Sequence, residues 1–117
     1  MLVDDEEFVR LTTADMLGDL GYRVIEAASA EDALALIAAG TAFDLLVTDH
    51  LMPGMTGTAL ARTALARAAR ERRASLPVLI VSGYADVEGI APDLPRLTKP
   101  LRKSDLAASL ASLLQTN

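Results

Sequence analysis

The 117-residue sequence contains no cysteine and no tryptophan, a single histidine and only 3% aromatic residues. Without cysteine there is no disulfide framework and no thiolate metal site, and the composition suits a reducing, cytoplasmic compartment. With so few aromatics, the 51% of the chain that is hydrophobic has to build its core from Ala, Val, Leu and Ile. No apolar run approaches the roughly 20 residues that cross a bilayer. Acidic residues from Asp4 onward do not read as a secretory or transit signal. Positive charge is not in surplus either. Lys and Arg number 11 against 16 Asp and Glu, a net charge of −5, which argues against nucleic acid or an anionic membrane as the partner. The length fits one domain over residues 1–117.

What is present is an alternation of two kinds of segment. Met1–Val3, Tyr22–Ala27, Phe43–Asp49, Pro77–Ser82 and Arg96–Lys99 are short, and their Val, Ile and Leu content suits strands covered on both faces. Segments of helical period lie between them. Glu6–Leu20 puts Val9, Met16, Leu17 and Leu20 on one side and stops at Gly21. Ser29-Ala30-Glu31-Asp32 resembles a capping box, and the helix after it points Ala30, Ala33, Leu34 and Ile37 inward and closes at Gly40. A third helix is predicted from about Thr58 to Arg72 with Ala61, Ala64, Leu65 and Ala68 inward, and a last one from near Ser104, burying Leu106, Leu110, Leu113 and Leu114. Gly83–Pro95 should hold the fourth helix, but Gly83, Gly89, Pro92 and Pro95 predict that it is short or disordered. The alternation as a whole predicts an α/β fold, a doubly wound parallel sheet with helices on both faces. Function in such sheets gathers at the carboxyl ends of the strands.

Those ends carry Asp4-Asp5, Asp49, Ser82-Gly83 and Lys99-Pro100. Taken singly, each has a plain structural role. The acid pair can start a helix, Asp49 can initiate a turn, Lys99 can be a solvated lysine, and Ser82 can bond to backbone. On one sheet edge they form a constellation. Three acids that close cannot all stay ionised without a cation. A hard divalent ion such as Mg2+ takes oxygen ligands and supplies the missing charge. One carboxylate can then act as a nucleophile toward phosphorus, with the metal, Lys99 and Ser82 balancing charge on the transferred group. His50 is expected to turn away from its neighbour Asp49. Arg62, Arg67, Arg70, Arg72 and Arg73 read as a solvated basic face, and Met52 and Met55 as loop packing.

The stretches VDDEE, LLVTDHLMPGMTG, VLIVSGY and LTKPL occur in that order over nearly the whole chain. Together they resemble the receiver domain of two-component response regulators, in particular the subgroup with a reduced fourth helix found in hybrid histidine kinases. The resemblance implies a flavodoxin-like, five-stranded sheet of order 2-1-3-4-5. It implies that Asp49 takes a phosphoryl group from the phosphohistidine of a histidine kinase, attached or separate, or of a histidine phosphotransfer domain. Asp5 would contact Mg2+ or Mn2+ directly, Asp4 mainly through water, and Leu51 through its backbone carbonyl. Ser82 would bind the phosphoryl group and signal its presence, with Gly83 leaving room for it. Lys99 would pair with the acceptor and then with the phosphate, oriented by Pro100 and a cis bond before it. Such a domain is a phosphoacceptor with only slow self-catalysed turnover, and any kinase activity lies outside this chain. One departure stands out. Arg96 occupies the position three before the lysine where many receivers carry an aromatic switch residue, and Tyr84 is the candidate substitute. A haloacid-dehalogenase-like phosphohydrolase would instead need a second acid at Leu51, and a degenerate module would have lost Asp49, the acid pair or Lys99.

Overall fold

Strands made of Val, Ile and Leu expose two apolar faces, so the sheet is stable only if crossovers lay helices on both. The computed structural model describes residues 1–71, 76–83 and 93–114 and has that arrangement. Its elements run β1 (Leu2–Val3), α1 (Glu7–Asp19), β2 (Glu26–Ala27), α2 (Ala30–Ala38), β3 (Leu46–Asp49), α3 (Gly57–Arg70), β4 (Val78–Ser82), β5 (Arg96–Thr98) and α4 (Lys103–Leu114). The sheet order is β2-β1-β3-β4-β5, with every neighbouring pair parallel. The expected helix between β4 and β5 and its residue Tyr84 fall largely in 84–92, outside the described residues, as do Arg72 and Arg73.

The period of two along each strand divides the core. Val3, Leu46, Val78 and Ile80 pack with Ala33 and Ile37 of α2 and with Leu60, Ala61, Ala64 and Ala68 of α3. Leu2, Val47, Leu79 and Val81 pack on the other face with Leu17 of α1 and Leu106 and Leu110 of α4. The alanines of α3 let that helix lie close to the sheet, which is how a core almost without aromatics closes up.

Several boundaries differ from the sequence expectation, each for a local reason. Strand β2 is two residues long and does not extend over Tyr22–Ala27, because the Tyr22 N–H is still spent on Leu17 O at 3.0 Å, closing α1 around Gly21 (φ 95°). Helix α3 starts at Gly57 because Thr56 caps it, its Oγ1 accepting from Ala59 N at 3.1 Å. Leu60 is fully buried in line with Ala64 and Ala68, an inward position not among those expected. In α1, Thr13 and Leu17 are the buried positions, whereas Val9, Met16 and Leu20 are only half-buried. Leu34, Leu65, Leu113 and Leu114 are likewise half-buried. The Ser29 cap is present, with its Oγ accepting from Asp32 N at 3.0 Å.

Helix α3 approaches the end of β3 closely. The Gly57 N–H donates to His50 O at 2.7 Å, and a Cβ on Gly57 would sit on the Asp49 carbonyl oxygen. Only glycine fits there. Gly57→Ala should lower stability by about 1–3 kcal/mol through forced displacement of packed backbone. By contrast a Cβ on Gly18, within α1, meets nothing within 4 Å, and Gly18→Ala should add about 0.5–1 kcal/mol from helix propensity. Urea unfolding of the two variants checks the contrast. Equal effects would mean that the close contact does not constrain the end of β3.

Candidate functional site

Strand register assembles the site. Val3 pairs with Thr48, so the next residues, Asp4 and Asp49, leave the sheet side by side. Ser82 pairs with Thr98, and the Lys99 N–H donates to Ser82 O at 2.7 Å, which places Lys99 just beyond the end of β5 and across from β4. One carboxylate oxygen from each of Asp4, Asp5 and Asp49 lies within 4.8 Å of the others. Asp4 and Asp49 are buried while Asp5 is exposed, so the cluster opens to solvent on the Asp5 side.

Lys99 is the cation of this cluster. Its Nζ is 3.2 Å from Asp49 Oδ1, 3.5 Å from Asp4 Oδ2 and 4.0 Å from Glu6 Oε1. Two main-chain donors also serve the acids. The His50 N–H reaches Asp49 Oδ1 at 3.1 Å, and the Glu6 N–H reaches Asp4 Oδ1 at 2.9 Å. Asp4 thus does what an acid before a helix ordinarily does, and joins the cluster as well. Burial pushes the Asp49 carboxyl up to about 6, with Lys99 pulling it down and Asp4 and Asp5 pushing it further up. Burial alone would lower the Lys99 ammonium, yet Asp49, Asp4 and Glu6 together raise it above its ordinary value. One ammonium against this many carboxylates leaves negative charge uncompensated. An all-oxygen set of that kind, partly open to water, fits a hard divalent cation.

The remaining expected residues fall around this centre. Ser82 ends β4 and is 1% exposed, and its Oγ has no hydrogen-bond partner among the described residues. Among the described residues this hydroxyl makes no bond to backbone. A buried hydroxyl left without a partner costs about 1–3 kcal/mol. Gly83 follows it, half-exposed. Leu51 has an exposed side chain in the loop after β3. The Lys99–Pro100 peptide bond is cis. His50 is buried, and its N–H, shared between Asp49 Oδ1 and Val81 O at 2.8 Å, serves the acceptor strand. Two residues at the site had not been anticipated. Glu6 belongs to the acidic run that was read as a pair. Arg10 donates from Nη1 to Asp4 O at 3.1 Å and gave no signal of its own, being one arginine on a helix.

The response regulator receiver domain family matches residues 1–111 of this chain. Among curated relatives, the sensor kinase CckA of Brucella abortus is 34% identical, the alignment covering 98% of this chain and 12% of that protein. The chemotaxis protein CheY of Pseudomonas aeruginosa is 43% identical over 73% of this chain and 66% of that protein. The chain thus spans less than two thirds of the length of either relative. Among solved structures, the receiver domain from the hybrid histidine kinase CckA superposes with a TM-score of 0.76 at 31% identity, covering 97% of this chain and 96% of that one.

The raised Asp49 carboxyl has a consequence for stability in the absence of metal. The folded state holds that proton up to about pH 6, whereas the unfolded chain releases it near the ordinary carboxylate value of 3.8. Stability contributed by this group is therefore present at low pH and lost as pH rises from about 4 to about 6. Asp49→Asn removes the loss and should stabilise the metal-free domain at neutral pH by about 1–2 kcal/mol, after allowing for screening at a partly open site. Urea unfolding in a chelator across that pH range checks this. A variant no more stable than wild type at pH 7 would contradict it.

Proposed function

The chain belongs to the response regulator receiver family, the phosphoacceptor domains of two-component signalling, and from that premise we propose that its acceptor is Asp49. The observation that carries this reading is the convergence of Lys99 on Asp49 and Asp4, with the Asp49 carboxylate held beside two further acids. Asp5 and Asp49 would hold Mg2+ or Mn2+ directly, Asp4 through water and Leu51 by its carbonyl. When bound, the metal supplies the positive charge that phosphoryl transfer needs around the phosphoryl oxygens.

In the proposed transfer an Asp49 carboxylate oxygen attacks phosphorus, so that a P–O bond forms. The P–N bond of the donor phosphohistidine breaks, and the imidazole nitrogen keeps the electron pair and takes a proton from solvent. The Lys99 ammonium passes from Asp49 Oδ1 to a phosphoryl oxygen, and the unpartnered Ser82 hydroxyl donates to another. Gly83 leaves room for the group, and Pro100 orients Lys99. The domain is a signalling acceptor and not a catalyst for other molecules. A phosphohydrolase reading gains nothing from the site, because Leu51 stands where a proton-carrying acid would be needed.

The partner in this reading is a histidine kinase or a histidine phosphotransfer domain, joined to the chain or separate. An apolar groove between α1 and the turn after β5 is lined by Phe8, Val9, Met16, Lys99, Pro100 and Leu101, and Phe8 is 82% exposed. Because Lys99 forms both the groove wall and the acceptor's ion pair, a donor seated there brings its histidine to Asp49. Residues 1–117 are read as one receiver domain in the cytoplasm. No helix among the described residues is long and apolar enough to cross a membrane.

Incubation with Mg2+ and a small acyl phosphate should add one phosphoryl group to the wild type and none to Asp49→Asn, read by intact mass. Equal labelling of the two would remove Asp49 as the acceptor. Lys99→Ala should lower stability, because Asp4 and Asp49 lose their shared cation, and urea unfolding establishes that the variant is folded. It should label about 10-fold or more slowly and lose the amide shifts at Ser82 that follow labelling in the wild type. A full wild-type response from that variant would leave Ser82 and the metal to carry the switch.

A further inference from the structure

Asp4 and Asp5 share one peptide unit, and the orientation of that unit decides where both carboxylates point. Its carbonyl, on Asp4, accepts from Arg10 Nη1 at 3.1 Å. The same guanidinium gives its Nε to Glu26 Oε1 at 3.1 Å. The preceding peptide unit is held as well, the Asp4 N–H donating to Ala27 O at 3.2 Å. Glu26 and Ala27 are the two residues of β2. A closed ring therefore runs from Asp4 through Ala27 and Glu26 to Arg10 and back to Asp4. The Arg10 side chain is only 14% exposed, so its fork is held and not free to swing.

We propose that Arg10, braced by Glu26, is a positioning residue for the divalent-cation site, fixing the Asp4–Asp5 peptide plane so that both carboxylates face Asp49 before any cation arrives. The inference rests on reading Asp4, Asp5 and Asp49 as that site. Three carboxylates within 4.8 Å repel one another, and a turn free to rotate would relieve the repulsion by sending the exposed Asp5 into solvent. The planar guanidinium opposes that rotation by joining the Asp4 carbonyl to Glu26 on β2. Partners of this kind, one step removed from the ligands, typically change metal affinity 10- to 100-fold.

Charge alone would act in the opposite direction. A guanidinium near a cation site repels the cation, so removing it would tighten binding if its field were what mattered. Geometry and field thus predict opposite signs for Arg10→Ala. Arg10→Lys separates them again, because it keeps the charge and loses the two-pronged donor.

The test is Mn2+ binding, followed by the electron paramagnetic resonance signal of free Mn2+, with urea unfolding to establish that each variant is folded. Wild type should bind and Asp5→Asn should bind much more weakly. Arg10→Ala should weaken binding about 10-fold, and Arg10→Lys should recover only part of that loss. Arg10→Ala binding Mn2+ as tightly as wild type, or more tightly, would overturn the proposal. If Arg10→Ala does not fold, Arg10→Lys decides: an affinity equal to wild type overturns the proposal, and a reduced one supports it. A wild type that binds no Mn2+, or binding untouched by Asp5→Asn, would instead overturn the metal-site reading itself and the inference with it.

Discussion

Negative charge crowded at one edge of a parallel sheet is the constraint on which the rest of this structure depends. Two charges 4 Å apart in an environment of effective dielectric 20 interact by about 4 kcal/mol. Asp4, Asp5 and Asp49 lie within about that range of one another, with Glu6 beside them and Lys99 as the ammonium that Asp4, Glu6 and Asp49 share. A domain of this size has a total stability of only about 5–15 kcal/mol. Such a cluster persists only if the backbone carrying it cannot relax. The product of the crowding is a carboxylate, Asp49, that would gain more from a nearby cation than an ordinary surface aspartate does.

The scaffold meets the requirement by placing each acid at the end of a buried, paired strand. β3 lies between β1 and β4, and its four residues are all buried. The chain leaves that strand through His50, whose N–H is held by Val81 O and whose carbonyl is held by Gly57 N. The start of α3 therefore presses on the residue after Asp49. The two core layers, one under α2 and α3 and the other under α1 and α4, fix the strand from opposite faces. Packing, register and the Gly57 contact all limit the freedom of the same few peptide units, which is where repulsion would otherwise be relieved.

How much of this was legible in the sequence depends on the range of the interaction. Hydrophobic period and glycine stops are local, so the order and type of the described elements could be read, and with them the edge on which Asp4, Asp5, Asp49 and Lys99 meet. Strand ends were less legible. Tyr22–Val24 have strand-forming residues, but the closure of α1 competes for the Tyr22 N–H, and that competition is decided by geometry. Leu60 shares the stripe of Ala64 and Ala68, four and eight residues on, so its burial was in the local period although it was not singled out. Arg10 and Glu26 lie 16 residues apart, and each alone is an ordinary charge. Only the fold makes them a pair, and only the pairing gives Arg10 a link to the Asp4 carbonyl.

Arg96 narrows how a signal could leave the site. It lies on β5 with its side chain exposed, and Thr98 is exposed too, so this strand offers no buried aromatic whose rotation could report the state of Ser82. What joins Ser82 to β5 is main chain: the Ser82 carbonyl accepts from the Lys99 N–H at 2.7 Å. In the proposed chemistry, the Lys99 ammonium and the Ser82 hydroxyl both turn to the same phosphoryl group. A conformational change requires that the ligand interact differently with the two states. Here the difference lies in the Lys99 ammonium, which is divided among three acids at 3.2, 3.5 and 4.0 Å before transfer and drawn to one group after it. Because the Lys99 N–H is bonded to the Ser82 carbonyl, redistribution of that one charge would, in the same proposal, act on the ends of β4 and β5 together. The turn that follows Lys99 leads directly into α4, whose Leu106 and Leu110 are buried against the sheet. In that proposal the path from Asp49 would run through the shared Lys99 ammonium and the backbone hydrogen bond that joins Lys99 to Ser82.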